Sequence, residues 1–126
     1  MRAVDTNLLV RLLARDEPRQ AAAAAAFIKS GAWVSHVVLM EATWVLSSVY
    51  ESGPARIADA ITLLLEHEHL VVQDADAVTA ALVSFRRKPA LGFADCLILE
   101  VARKAGHLPL GTFDRDLAAL DGAQKA

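Results

Sequence analysis

The chain has 126 residues, 13 lysines and arginines against 15 aspartates and glutamates, a net charge of −2 and a pI near 6.0. The length fits one domain, and the charge excludes a protein that grips nucleic acid by a broad basic surface, for which a domain pI above roughly 9 is usual. The single cysteine, Cys96, excludes an internal disulfide and a cysteine-based zinc site.

The hydrophobic fraction is 55%, much of it alanine, which points to close-packed helices more than to a β-sandwich. Asp5 and Arg11 interrupt any signal-peptide core. No run approaches the roughly 18 apolar residues of a membrane span. The reading is a soluble, cytoplasmic domain over 1–120 with a frayed tail, 121–126.

In chain order, Ala3-Val4 is a very short first strand that ends on Asp5. Thr6 and Asn7 can cap the helix that follows, whose apolar residues Leu8, Leu9, Leu12 and Leu13 fall on helical spacing. Asp5 could itself be no more than that cap. Pro18 suits the first turn of a second helix, which carries the alanine run Ala21–Ala26 and stops at Ser30-Gly31. Ala32–Val34 is the second strand. Ser35 caps a helix from about Val37 to Tyr50. There Val37, Trp44 and Val45 lie three or four positions from Glu41, so the acid is expected to point with the buried face.

Ser52-Gly53-Pro54 breaks the chain. A helix follows to about Glu68, with Ile57, Ile61, Leu64 and Leu65 on one face. His67 and His69 at its end do not share a helical face and read as structural or solvated. Leu70–Val72 is the third strand, and Asp74 caps a helix to about Phe85. Arg86-Arg87-Lys88-Pro89 is a basic loop, either a solvated connection or a set of phosphate contacts beside the helix that carries Asp95. Phe93–Lys104 is a helix with Asp95 in its first turn, Cys96 in its core and Gly106 as its stop. Leu108–Leu110 is the fourth strand, with Pro109 a poor fit to a central ladder. Gly111 to Asp114 leave it, and Arg115–Leu120 is a last short helix.

Alternating strands and helices are the pattern of a parallel α/β sheet. In such a sheet all strand carboxyl ends lie on one side, where ligands bind. Asp5, Glu41, Asp95 and Asp114 can therefore converge. Clustered carboxylates repel, and a hard cation, Mg²⁺ or Mn²⁺, relieves them. The chemistry implied is phosphodiester hydrolysis with metal assistance.

The chain resembles PIN-domain proteins of the VapC toxin type. The matching residues are Val4-Asp5-Thr6-Asn7, Glu41 in Val38-Leu39-Met40-Glu41, Phe93-Ala94-Asp95-Cys96-Leu97-Ile98, and Thr112-Phe113-Asp114-Arg115-Asp116-Leu117. They stand in the family's order and span almost the whole chain. The resemblance implies a three-layer α/β/α sandwich on a central parallel sheet of four or five short strands. It implies a Mg²⁺- or Mn²⁺-dependent ribonuclease, the toxin of a toxin–antitoxin pair. Asp5, Glu41, Asp95 and Asp114 would form the acidic quartet, with Asp5 and Asp95 the foremost metal ligands. Asn7 and Thr112 would support them. Whether Asp114 or Asp116 lies nearer the metal is left open. A homodimer is also implied, as is a small antitoxin whose arginine reaches the carboxylates.

Two rival folds fit less well. A signalling receiver domain needs an acidic pair after strand one and a lysine after the last strand. A haloacid-dehalogenase-type phosphatase needs an aspartate where Asn7 stands. The remaining alternative is a PIN-like fold used as a catalytically inactive binding module.

Overall fold

The computed structural model describes all 126 residues. The chain forms two compact units, Met1–Ala75 and Asp76–Ala126. Both are α/β, and every strand pair in them is parallel. The strands number five, hydrogen-bonded as a ladder of three and a ladder of two.

The first unit runs β1 (Arg2–Ala3), α1 (Thr6–Ala14), α2 (Pro18–Ile28), β2 (Ala32–Val34), α3 (His36–Ser48), α4 (Pro54–Glu66) and β3 (Leu70–Val72). The sheet order is β1-β2-β3, so each crossover carries two helices. β2 is the central strand. Ala32 and Val34 are fully buried on one face while Trp33 faces outward, the alternation that a strand's period of two requires. Backbone bonds carry the ladder past the strand ends, with Val4 N donating to Trp33 O (3.2 Å) and Gln73 N to Val34 O (2.9 Å). Leu9 of α1, Ile28 of α2, Leu39 of α3 and Ile61 and Leu64 of α4 are almost wholly removed from water. Each such side chain contributes about 1.5–3 kcal/mol of burial free energy.

One open choice in this unit is decided and one expectation is corrected. Asp5, and neither Thr6 nor Asn7, caps α1: its backbone is still extended (φ −94°, ψ 177°), and its Oδ1 accepts from Leu8 N at 2.9 Å. The capping residue is the last one outside the helix, and Thr6 is already inside. On α3, Ser35 caps as expected, accepting from Val38 N at 3.1 Å, but the buried face is Leu39, Ala42, Thr43 and Leu46. Val37 and Trp44 are 76% and 65% exposed, and Glu41 is exposed with them. The helix is apolar on nearly all sides, so hydrophobicity alone does not choose its inner face. The small residues Ala42 and Thr43 mark the close packing.

The second unit holds α5 (Ala75–Arg87), a 3-10 turn (Pro89–Leu91), α6 (Phe93–Ala105), β4 (Leu110–Thr112), α7 (Arg115–Ala118) and β5 (Ala123–Lys125). Phe85 of α5 and Phe93 of α6 meet edge to face, ring centroids 6.1 Å apart. Gly92 turns the chain between the 3-10 turn and α6 with φ +78°, a left-handed value that a residue with a Cβ rarely adopts. Together these fix where α6 begins, and so where Asp95 stands.

Three further expectations are corrected here. Arg86 and Arg87 lie in the last turn of α5 rather than in a loop, where cations suit the negative end of the helix dipole. The fourth strand starts at Leu110 and includes Gly111 and Thr112; Leu108 and Pro109 precede it. The tail beyond Asp121 is a strand, not a fray. β5 pairs with β4 from Leu110–Ala123 to Thr112–Lys125, and Ala126 N donates to Thr112 O at 2.9 Å. Arg103 secures the turn into β5, its Nη2 donating to Asp121 O at 2.6 Å. No helix is long and apolar enough to cross a membrane.

Candidate active site

In the first unit, the chemistry gathers where β1 gives way to α1. Asp5 follows the strand and its carboxylate is exposed. One oxygen is engaged with Leu8 N, so capping and ligand binding share this side chain. The Thr6 hydroxyl donates to Glu41 Oε1, which brings the α3 acid against the residue next to Asp5. The sequence offered Thr6 only as a cap. Its link to a residue far along the chain had no local signal. Asn7 is exposed and lines a shallow groove of about 270 Å³ with Thr6, Val10, Val45 and Val49.

In the second unit, Asp95 opens α6 and is half-buried. Its carboxyl is held above the ordinary range, first by loss of water around it and then by the negative charge of Asp114. Asp114 caps α7, accepting from Leu117 N at 2.9 Å. Its own backbone N–H donates to Thr112 Oγ1 at 3.0 Å, so Thr112 fixes the turn that carries the acid. Asp116 is engaged elsewhere, 3.7 Å from Lys88 Nζ. Within this unit Asp114 is the acid whose charge acts on Asp95.

The quartet divides as Asp5 and Glu41 in the first unit and Asp95 and Asp114 in the second. Neither unit alone assembles three His, Cys, Asp or Glu side chains as a metal-holding group. The donor chemistry nonetheless suits a hard cation. Two carboxylates, Asp95 and Asp114, repel each other, and divalent oxygen-loving ions relieve such pairs.

Other titratable groups have structural roles. The Cys96 thiol is buried and pushed up to about 11 by that burial and by the charges of Asp95 and Glu100, so it is no nucleophile at neutral pH. His69 N donates to His67 Nδ1 at 3.1 Å. His67 and His69, with Arg15 and Lys29, line a cavity of about 410 Å³ at the ends of α1, α2 and α4, where the two cations Arg15 and Lys29 suit helix C-termini. Tyr50 donates to Asp16 Oδ2 at 2.9 Å and accepts from Arg11 Nη1 at 3.0 Å. That bond holds the Asp16 carboxyl below its usual range and raises the Tyr50 phenol.

The PIN domain family matches residues 2–123, which is nearly the whole chain. The chain belongs to the PIN-domain family. PIN domains are in general nucleases, hydrolases that act on nucleic acid and commonly use divalent metals. The parallel strands and flanking helices agree with that fold. No curated protein and no solved structure matches the chain.

Proposed function

We propose that this PIN domain is a Mg²⁺- or Mn²⁺-dependent endoribonuclease and the toxin of a toxin–antitoxin pair. Family membership supports the nuclease. The observation that carries the metal is the pair Asp95 and Asp114, in which one carboxyl is raised by desolvation and by its neighbour's charge. A cation bound there would relieve the repulsion and supply Lewis-acid chemistry at a phosphate oxygen.

Each residue then has a role. Asp5, Glu41, Asp95 and Asp114 are the carboxylates that would hold the cation, with Asp5 and Asp95 foremost. Thr6 orients Glu41 through its hydroxyl, and Thr112 orients the turn bearing Asp114. Asn7 offers an amide at the start of α1, where a phosphate oxygen could accept from it. Asp116 is restrained by Lys88 and takes no direct part. The substrate is RNA. The partners are a second copy of the chain and an antitoxin that presents an arginine to the carboxylates. The compartment is the cytoplasm.

The test is RNA cleavage by the purified chain with Mg²⁺ or Mn²⁺, with chelator, and in Asp5→Asn and Asp95→Asn. Cleavage that needs metal and disappears in both variants is the expected result. Thermal stability is followed in parallel, because a ligand that binds only the folded chain raises it. Mn²⁺ should stabilise the native chain and do little for Asp5→Asn. If Mn²⁺ stabilises neither and RNA stays intact, the inactive binding module takes the place of the enzyme.

A further inference from the structure

The acids of the first unit follow its strands, Asp5 after β1 and Glu41 on the helix after β2. The opposite end of the same parallel sheet carries cations. Lys29 stands shortly before β2 and His69 directly before β3, and Ala32 N donates to His69 O at 2.9 Å, which ties the two strand starts together. Arg15 ends α1 and His67 ends α4. These four side chains line one cavity of about 410 Å³, within the roughly 300–1,000 Å³ usual for small-molecule sites. Its other walls are apolar, Leu12 of α1 with Ala25, Ala26 and Ile28 of α2.

Balance of the helix dipoles does not account for this cavity. The three helix ends carry about half a negative charge each, together less than the two full positive charges of Arg15 and Lys29. Both cations are exposed, and no carboxylate pairs with either. Arg15 also holds a left-handed backbone, φ 53°. Elsewhere the chain gives such turns to glycine, Gly31 after α2 and Gly106 after α6, since glycine enters that region freely. His67 Nδ1 accepts from His69 N at 3.1 Å, so the neutral ring carries its proton on Nε2, a further donor. Glu68 lies 3.3 Å from His69 Nε2, but its side chain is 83% exposed and does not line the cavity. We propose that this cavity binds a small phosphate monoester bearing an apolar ring, the chemistry of a nucleoside monophosphate. Arg15 and Lys29 hold the phosphate through charged hydrogen bonds, and the ring lies against Leu12, Ile28 and the low wall of Ala25 and Ala26. An inorganic ion would leave the apolar wall uncovered, and an uncharged ring would leave the two cations unpaired. The site stands at the other end of the sheet from Asp5 and does not depend on the nuclease reading.

The experiment is titration calorimetry of the full chain with adenosine 5′-monophosphate, beside adenosine and inorganic phosphate. It is run in chelator, so that no metal at the acids contributes. Native chain, Arg15→Asn, Lys29→Gln and the remote control Lys125→Gln are compared. Asparagine tolerates the left-handed backbone at position 15, and Lys29 is exposed, so both variants should keep the native melt. The native chain should bind the monophosphate, and bind adenosine and inorganic phosphate at least tenfold more weakly. Arg15→Asn and Lys29→Gln should each weaken the monophosphate about tenfold, as expected when a hydrogen bond to a charged group is lost. Lys125→Gln should leave it unchanged. No binding by the native chain, or unchanged binding in both cavity variants, would overturn the proposal. Equal weakening by Lys125→Gln would do the same, by reducing the effect to net charge. Inorganic phosphate binding as tightly as the monophosphate would leave an ion site only and overturn the organic ligand. An oligoribonucleotide that depends on Arg15 and Lys29 more steeply than the monophosphate does would assign the cavity to nucleic acid instead. RNA cleavage with metal is a separate readout, which neither cavity variant should change.

Discussion

Glu41 and Asp95 are the same chemical group on helices of the same length, α3 and α6, yet the fold treats them in opposite ways. Glu41 is exposed and receives a hydrogen bond from Thr6. Asp95 is half-buried and faces the charge of Asp114. One carboxylate is satisfied by the protein itself. The other is left in a state that the protein alone does not relieve. A half-buried acid with a like-charged neighbour is a poor structural element and a good place for a cation. The comparison predicts that Asp95 governs metal binding while Glu41 is held ready at lower energetic cost.

The sharpest break comes from Asp95→Asn. Removal of one group that stabilises developing charge costs on the order of a hundredfold or more in rate. RNA cleavage should fall at least that far, while the far-ultraviolet circular dichroism stays native. Glu41→Gln should cost less. If Glu41→Gln were the more damaging change, the contrast between the two acids would be inverted.

The same contrast should appear in pH dependence. The folded Asp95 carboxyl is raised above its unfolded value, so the folded chain binds more protons in the window between them. The contribution of Asp95 to stability in chelator should therefore be fully present below the ordinary aspartate pKa of about 3.9 and be lost as pH rises through the raised value. Asp95→Asn should remove that decline and raise Tm at neutral pH, and Asp114→Asn should remove part of it. Asp16 and Asp76 act in the opposite direction. Their carboxyls are lowered, by Tyr50 and by Lys104 respectively, so what they contribute is lost as pH falls. The comparison is therefore between variants and not within one titration. Mn²⁺ at neutral pH should raise the native Tm and lose that effect in Asp95→Asn.

Much of this arrangement could be read from the sequence, and the failures have physical causes. Ala32–Val34 and Leu70–Val72 were legible as strands because short apolar runs ended at clear turn or cap residues. Ser35, Pro18 and Gly106 marked helix ends through their own backbone and side-chain chemistry. The inner face of α3 was not legible, because apolar residues surround it. β5 was invisible for the opposite reason. Ala123-Gln124-Lys125 has no β-branched or aromatic residue, and the strand exists through backbone bonds to β4. Asp95 stood out as a candidate from its place at a helix start, but the action of Asp114's charge on it had no local signal in the sequence. Thr6 went unrecognised because its partner is distant in sequence.

Thr6 offers a finer test of the satisfied acid. Thr6→Val keeps the shape and removes the hydroxyl that holds Glu41. Groups that orient metal-binding carboxylates typically matter about 10–100-fold. Cleavage should fall toward the lower end of that range, because Glu41 is exposed and can recover a bond from water. Stability should move by no more than about 0.5 kcal/mol, as for most surface substitutions. Activity measured beside a thermal melt separates the two effects. A large loss of stability with full activity would make the Thr6–Glu41 bond structural only.

The smallest effect, and the one that separates Asp114 from Asp116, belongs to Lys88. Its Nζ lies 3.7 Å from Asp116 Oδ1, and both side chains are partly exposed, so the pair contributes roughly 0–1 kcal/mol to stability. Lys88→Glu should hardly change Tm. If Lys88, with Arg86 and Arg87 at the end of α5, meets RNA phosphate, the reversal should weaken binding evenly across sequences and reduce the salt slope by about 1. The Mn²⁺ concentration at half-maximal stabilisation should not move, because Asp116 is no metal ligand on this reading. Were that midpoint to shift strongly in Lys88→Glu and stay fixed in Asp114→Asn, the metal would belong with Asp116. The raised carboxyl of Asp95 would then reflect repulsion in an idle pair, and the contrast with Glu41 would lose its link to catalysis.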